Sequence, residues 1–371
     1  MKQNILARPH IRAKDLFFST KKNYPVNCFF FNSGSNALIY GLKILEIQKG
    51  SSILVPAYIC KSIIKALSQN GINVIFQDVK MDLSFDLDLL RSNIIENDIK
   101  GVLIVNYFGF SLNTKEVSRL CKNLNIFCIE DNCHSYLSNN CLYEEEIATD
   151  ISIFSLRKSL PIKDGGVLRV NSKHIKKNTN HEIILNHRSI IYDIPFLLSK
   201  TAEYIISKLG IFNLYSDLIT KIKDKFYKDI GNVNKEGTFN IKPIKPSYLL
   251  NKYLKNYSYE DEIKKKVIKN FNYLTSKLKP SLLKPLFKNC YEGTVPQYAI
   301  LFDYDATLCS YLRRERVGAS RWPDNELPDI VQNNKEAFPN SNFLNESLVM
   351  IPIHKDITKK HLDTILDIIE N

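Results

Sequence analysis

Lys158 stands in the run 154–166, FSLRKSLPIKDGG, behind an arginine, ahead of a proline turn and a glycine pair that leads into VLRV. A lysine delivered by a strand end into a cleft loses hydration, which lowers its pKa and makes the amine a nucleophile; on an open surface it is only a solvated charge. Ser155 and Arg157 leave the same apolar run, ISIFSL. A second group lies in IFCIEDNCHS, which brings Glu130, Asp131 and His134 to another strand end. An acid there can cap a helix, ligate a metal or pair with a protonated ring nitrogen, and the histidine alone reads as an ordinary hydrogen-bonded residue. The third group is FNSGSNALIYGL, where a strand ends at Ser33, Gly34 and Ser35 and a nearly all-apolar helix begins at Asn36. The unpaired N–H groups and partial positive charge of a helix start form a cup for an anion, yet serine and asparagine also serve there as plain caps.

Cup, acid and lysine together are what pyridoxal phosphate (PLP) requires of one pocket. The lysine holds the aldehyde, the acid keeps the pyridine nitrogen protonated, and the helix start holds the phosphate. Their placement falls to the surrounding elements. From 28 to 170, the apolar runs CFFFNSG, SSILVPA, INVIFQDV, KGVLIVNYFG, NIFCIED, TDISIFSL and GGVLRV alternate with helical patterns at 36–46, 59–69, 86–95 and 114–124. This βαβ rhythm predicts an α/β fold whose mostly parallel sheet is sandwiched by helices, with ligands beyond the carboxyl ends of the strands. Residues 171–245 are polar and irregular, with helical patches around 195–209 and 212–227. A long amphipathic helix ending near Leu278 follows, then PQYAILFDYD as a strand, ATLCSYLRRERV as a helix, SLVMIPI as a strand and TKKHLDTILDIIE as a helix. The expected division is a large PLP-binding domain with an N-terminal arm over 1–240 and a small C-terminal α/β domain over 241–371.

The 371 residues, 44% of them hydrophobic, suffice for two such parts. The opening MKQNILARPH has no apolar stretch of the secretory kind, and no apolar run reaches membrane-spanning length, so a cytoplasmic protein is expected. Cys28, Cys60, Cys121, Cys128, Cys133, Cys141, Cys290 and Cys309 form no CxxC pair and read as reduced and structural. The net charge of +12 comes mainly from lysine, with only 11 arginines among 51 basic residues. Lysines such as Lys264, Lys265 and Lys266 fall on a solvated helix face, so an anionic small molecule suits this charge better than nucleic acid.

The chain resembles the DegT/DnrJ/StrS-type sugar aminotransferases, aspartate-aminotransferase-like PLP enzymes of fold type I. The resemblance is carried by SGSNAL (33–38), KGSSILVPAY (49–58), NVIFQDV (73–79), VNYFGF (105–110), IEDNCHS (129–135), FSLRKSLPIKDGG (154–166), VPQYAILFDYD (295–305), VGASRWP (317–323) and LVMIPIH (348–354). It implies that Lys158 holds the cofactor and shuttles a proton, and that Asp131 meets the pyridine nitrogen. His134 stands where the family usually has a glutamine beside the ring oxygen, and Gly34, Ser35, Asn36 and Ser155 match phosphate-binding positions. The aromatic residue that the family stacks on the ring aligns with Cys60, and Tyr58 is the nearest aromatic substitute. Arg157, Lys245, Arg321 and Trp322 are candidate substrate contacts. In place of the family's Asn-x-Arg-Met-Ser element, which crosses the dimer interface, this chain has FNIKPIKPS (239–247), with Lys245 in the role of the arginine charge. The implied activity moves an amino group from an amino acid, with glutamate as the expected donor, through pyridoxamine phosphate to a nucleotide-linked keto-sugar. Its setting would be bacterial surface-glycan synthesis, in a homodimer without nucleic-acid or membrane partners. The alternatives are a dehydratase, an enzyme of an acyl or amino-acid substrate, or a non-catalytic PLP binder; the sugar dehydratases of the family have histidine in place of the lysine.

Overall fold

In the computed structural model, which describes residues 4–11, 27–138, 147–172, 188–208, 242–254, 257–279, 283–323 and 326–370, the apolar runs of the first half form one seven-stranded sheet. Its strands are β1 (Cys28–Phe31), β2 (Ser52–Pro56), β3 (Asn73–Gln77), β4 (Ile99–Val105), β5 (Phe127–Asp131), β6 (Ile151–Ser155) and β7 (Gly166–Val170), in the order β1-β7-β6-β5-β4-β2-β3. β7 runs antiparallel to both β1 and β6, and every other pairing is parallel. Crossover helices α1 (Gly34–Ile44), α2 (Lys61–Gln69), α3 (Leu87–Glu96) and α4 (Thr114–Asn123) lie on the two faces. A strand buried on both faces needs an unbroken apolar run, and β6 and β7 are buried at every position. On one face, Leu90 and Ile94 of α3 and Val117, Leu120 and Cys121 of α4 pack on Leu54, Val102, Ile104 and Cys128. On the other, Ala37, Leu38 and Leu42 of α1 join the cluster that holds Leu103, Ile129, Ile153 and Leu168.

Polar residues set where these helices begin. The Ser33 side chain accepts the Asn36 N–H at 3.2 Å, so α1 starts at Gly34, two residues before the expected Asn36. Asp86 accepts the N–H groups of Asp88 and Leu89, both at 3.0 Å, and opens α3.

The second half supplies α5 (Ile194–Lys208), α6 (Tyr248–Leu254), α7 (Tyr257–Lys277), β8 (Tyr298–Phe302), α8 (Leu308–Arg314), α9 (Asp329–Gln332), α10 (Pro339–Ser347), β9 (Leu348–Pro352) and α11 (Lys359–Glu370), with β8 and β9 paired antiparallel. α5 is the expected 195–209 helix; the 212–227 patch and the expected boundary at 240/241 lie outside the described residues. α9 and α10 were not expected, because PNSNFLNES shows no sustained apolar period. What starts α10 is remote in sequence: Asp78, just after β3, accepts the N–H groups of Asn340 and Ser341, both at 2.9 Å. Two further bonds join the halves, Ile244 N–H to the Phe30 carbonyl at 2.8 Å and Gln297 N–H to the Phe108 carbonyl at 2.7 Å. The N-terminal segment straps across the second half, with Ile5 N–H donating to the Arg316 carbonyl at 2.9 Å and Gly318 N–H to the Ile5 carbonyl at 2.7 Å. No described helix is long and apolar enough to cross a membrane.

The tightest backbone approach in the large sheet occurs where β7 begins. A Cβ on Gly166 would lie 2.1 Å from the Ser33 carbonyl oxygen and 2.3 Å from its carbon, so only glycine lets the turn before α1 rest on this strand. Gly166→Ala is therefore expected to cost about 2 kcal/mol or more by overpacking, read as a lower midpoint in urea with an unchanged slope.

Candidate functional site

β1, β2, β4, β5 and β6 point the same way, so the loops at their carboxyl ends gather at one edge of the sheet. After β1 comes Gly34, whose Cβ position lies 3.0 Å from Cys133 Sγ and 3.5 Å from Ser155 Cβ. The start of α1, the loop after β5 and the end of β6 therefore meet at one point. Ser155 is buried there; Ser35 and Asn36 are half-buried on the first turn of α1. The Asn36 N–H is committed to Ser33, so capping and cup are shared within one turn: Ser33 caps, and Gly34 and Ser35 present their N–H groups ahead of it.

At the end of β5 the two acids separate, because successive side chains of a strand face opposite ways. Glu130 accepts hydrogen bonds from Asn106 Nδ2 at 2.8 Å and Ser152 Oγ at 2.7 Å, a buried network inside the sheet. Asp131 turns toward the site. Its Oδ1 accepts the Cys133 N–H at 2.8 Å, and its charge, after burial, helps hold the Cys133 thiol well above its usual range, although Lys158 opposes it. Cys133 is thus a buried thiol and not a nucleophile. Among the described residues no three His, Cys, Asp or Glu side chains gather as metal ligands. The seven described cysteines form no disulfide.

Lys158 ends a short 3-10 turn after β6, and its Nζ lies 3.1 Å from His134 Nε2. Burial, reinforced by the lysine's charge, drives the His134 pKa well below the ordinary value. A neutral imidazole facing an ammonium accepts at Nε2 and so carries its hydrogen on Nδ1. That buried Nδ1 has no hydrogen-bond partner among the described residues. The ring is fixed on both sides, by Phe108 stacked at 5.5 Å and 12° and by the Trp322 edge at 4.9 Å and 76°. Gln297 Nε2 donates to the Lys158 carbonyl at 2.8 Å and holds the lysine's backbone. The pocket beside this pair is lined by His134, Lys158, Val295, Gln297 and His354, with Ala7 of the N-terminal strap.

Other expected residues fall differently. Tyr58 is fully buried in a cluster with Tyr107 and Trp322; its hydroxyl donates to the Trp322 carbonyl, and burial raises its pKa, with Arg321 opposing. Its ring is thus packed against aromatic neighbours of the protein itself. Cys60, the cap residue of α2, pairs its Sγ with Ser62 Oγ at 3.1 Å. Trp322 is in the site, packed on His134. Arg321 donates to the carbonyls of Glu346 and of Ala306 (3.0 Å) and reaches Asp303 at 3.3 Å, so its donors are engaged by neighbouring residues. Arg157 and Lys245 are exposed, Lys245 next to the residue bonded to β1. Phe108 and Gln297 were missed by sequence reasoning. Phe108 depends on an unusual backbone, φ 55, that no residue type announces, and Gln297 on a contact 139 residues away.

Residues 23–187 match the model of the DegT/DnrJ/EryC1/StrS aminotransferase family, and the family resemblance stands over that stretch. A GDP-4-keto-6-deoxy-D-mannose 3-dehydratase of Yersinia pseudotuberculosis is 34% identical over 100 residues, 27% of this chain and 25% of that one. A UDP-4-amino-4,6-dideoxy-N-acetyl-beta-L-altrosamine transaminase of Campylobacter jejuni is 30% identical over 148 residues, 39% of each. The alignments thus span well under half the length of these relatives. The sugar aminotransferase Spr1654 of Streptococcus pneumoniae in its PLP form superposes with a TM-score of 0.65 at 13% identity, over 99% of both chains, which shows that the fold is shared.

The separate environments of the two acids give a stability test. Glu130→Ala strands the donors of Asn106 and Ser152 and should cost about 2 kcal/mol or more. Asp131→Asn keeps an oxygen for the Cys133 N–H and should cost less than about 1 kcal/mol. Urea unfolding of both variants checks the contrast.

Proposed function

We propose that this chain, with the DegT/DnrJ/EryC1/StrS match over residues 23–187 as the premise, is a PLP-dependent aminotransferase that passes nitrogen from glutamate to a nucleotide-linked keto-sugar. The observation that carries the reading is Lys158 Nζ at 3.1 Å from a neutral His134 whose other ring nitrogen is buried without a partner among the described residues. The residues present fit the cofactor. Gly34 and Ser35 N–H groups with the Ser155 hydroxyl would hold its phosphate, Asp131 its ring nitrogen, Lys158 its aldehyde and the His134 Nδ1–H its ring oxygen. When bound, PLP supplies the amino-group carrier and the electron sink for the adjacent carbon.

The protein's own share is orientation and proton transfer. Lys158 Nζ accepts and returns the proton moved during transamination, at a position set by the Gln297 bond to its carbonyl and by the His134 acceptor. Because His134 stays neutral, it binds the lysine's N–H without competing for the proton. Buried Asp131 supplies a negative charge at the floor of the site, kept in place by the Cys133 N–H. A dehydratase is the second reading, favoured by the Yersinia relative; Lys158, where the family's sugar dehydratases have histidine, supports transamination instead.

The same reading makes the enzyme a cytoplasmic homodimer of surface-glycan synthesis in which exposed Lys245 reaches the partner's phosphate site, a point charge in place of a forked one. Two outcomes are expected. In single-turnover reactions with glutamate, followed by cofactor absorbance, Lys158→Ala and Asp131→Asn should each be slower by about 100-fold or more; near wild-type rates for either would remove it from the mechanism. Mixed Lys158→Ala and Lys245→Ala subunits, each inactive alone, should regain activity, since one composite site of the mixed dimer is intact. A monomer by light scattering, or an unimpaired Lys245→Ala enzyme, would remove the cross-subunit role.

A further inference from the structure

The loop that carries Asp131 and His134 is bolted to the end of the neighbouring strand by one buried carboxamide. Asn106 follows β4 directly, is 2% exposed and is not among the residues that line the Lys158 pocket. Its backbone N–H donates to the Asp131 carbonyl at 3.1 Å, and its own carbonyl accepts from Ser135 Oγ at 2.8 Å. Its Nδ2 donates to Glu130 Oε1 at 2.8 Å and to Asn132 Oδ1 at 2.7 Å. Its Oδ1 accepts from Thr114 Oγ1, on the first residue of α4, at 2.8 Å. All of these bonds except the last run to residues 130–135, the segment that holds both site residues. The ladder between β4 and β5 ends at Val105 and Asp131, so past that point the Asn106 bonds take the place of the sheet.

The chemistry of the neighbours fixes which way this amide faces. One side meets two oxygens, of the Glu130 carboxylate and the Asn132 side chain, and the other meets a hydroxyl. Only a carboxamide with its nitrogen toward the oxygens and its oxygen toward the hydroxyl satisfies both sides. Aspartate would bring a second carboxylate against Glu130, and leucine would leave Glu130, Asn132 and Thr114 without this partner. Glu130 is itself held by Ser152 Oγ at 2.7 Å, which ties the anchor to β6, the strand that leads to Lys158. A second path runs through the chain: two residues past Asn106 stands Phe108, whose ring stacks on His134. Asn106 is therefore joined to His134 along both paths, through Asn132 and Ser135 and through Phe108. A shift of the carboxamide moves both, and with them the 3.1 Å separation of His134 Nε2 from Lys158 Nζ and the Cys133 N–H that holds Asp131.

We infer that Asn106 is a positioning residue for the Lys158 reaction: it moves no proton itself and sets where Asp131 and His134 stand. The inference rests on the reading of Lys158 given above. Misplacement of a reacting group by about 1 Å is enough to cost about 100-fold in rate, so a residue that fixes two such groups at once acts on the reaction without touching it.

The test compares Asn106→Ala and Thr114→Val with Ile94→Ala, a buried residue of α3 that makes none of these bonds and whose truncation destabilises by leaving a cavity. In cofactor-free protein, hydrogen exchange at the Cys133 and Ser135 amides should quicken by about tenfold in Asn106→Ala, by a smaller factor in Thr114→Val, and stay at the wild-type rate in Ile94→Ala. In PLP-loaded protein, the visible circular dichroism of the cofactor, which reads how firmly its ring is oriented, should lose amplitude in Asn106→Ala with its absorbance retained. The single-turnover rate with glutamate should fall by about tenfold or more in the same variant. Thr114→Ser keeps the hydroxyl and should match wild type in every measurement. If Asn106→Ala does not fold, the contrast between Thr114→Val and Thr114→Ser decides. Exchange, dichroism and rate in Asn106→Ala no different from those of Ile94→Ala would overturn the inference and leave Asn106 as a part of the core alone. Failure of the wild type to bind PLP would instead overturn the Lys158 reading, and the exchange measurement, which needs no cofactor, keeps the two failures apart.

Discussion

Contact between the Gly166 backbone and the Ser33 carbonyl is the constraint on which the site depends. β7 is the one reversed strand of the sheet, inserted between β1 and β6, and its first residue pairs with Phe31 on one side and Ser155 on the other. The turn into α1 can therefore reach the end of β6 only if nothing projects from position 166. With glycine there, Gly34 packs on Ser155 and Cys133, and three loops from distant parts of the sequence share one floor. A side chain at 166 would separate the anion cup from the lysine by pushing one loop off the other.

Above that floor, burial sets the state of the His134 ring. His134 is held neutral by burial and by the neighbouring ammonium, so it accepts from Lys158, and its other ring nitrogen is buried without a hydrogen-bond partner among the described residues. Two aromatic rings lock its plane, and the second half of the chain contributes both Trp322 and Gln297. The site is thus completed across the two halves of the chain, and the Gln297–Phe108 backbone bond is one of the links that keep them in register. Like the α10 cap at Asp78, it is made by a polar group of the large sheet satisfying the backbone of the small part.

The sheet was legible because its strands are buried on both faces and so must be continuous apolar runs, and because the crossover helices carry clear caps and periods. The placement of residues at strand ends followed from that, and Lys158, Asp131, Ser155 and Gly34 do lie at or just beyond the ends of their strands. The surroundings of Tyr58 were not legible because an aromatic residue says nothing about which way its ring turns, and packing against Tyr107 and Trp322 decides it. The partners of Arg321 were hidden for a similar reason, since its donors go to the carbonyls of Glu346 and Ala306. Phe108, Gln297 and α10 were out of reach because each is defined by a partner more than a hundred residues away or by a backbone conformation, and neither leaves a local pattern.

The account stands most directly on which atom holds the cofactor. Borohydride reduction of PLP-loaded protein, digestion and mass spectrometry of the peptides would locate the covalent attachment. The arrangement of Lys158 beside His134 predicts a single phosphopyridoxyl group on Lys158. A label on exposed Lys163, five residues on, or no label in protein saturated with PLP, would contradict it.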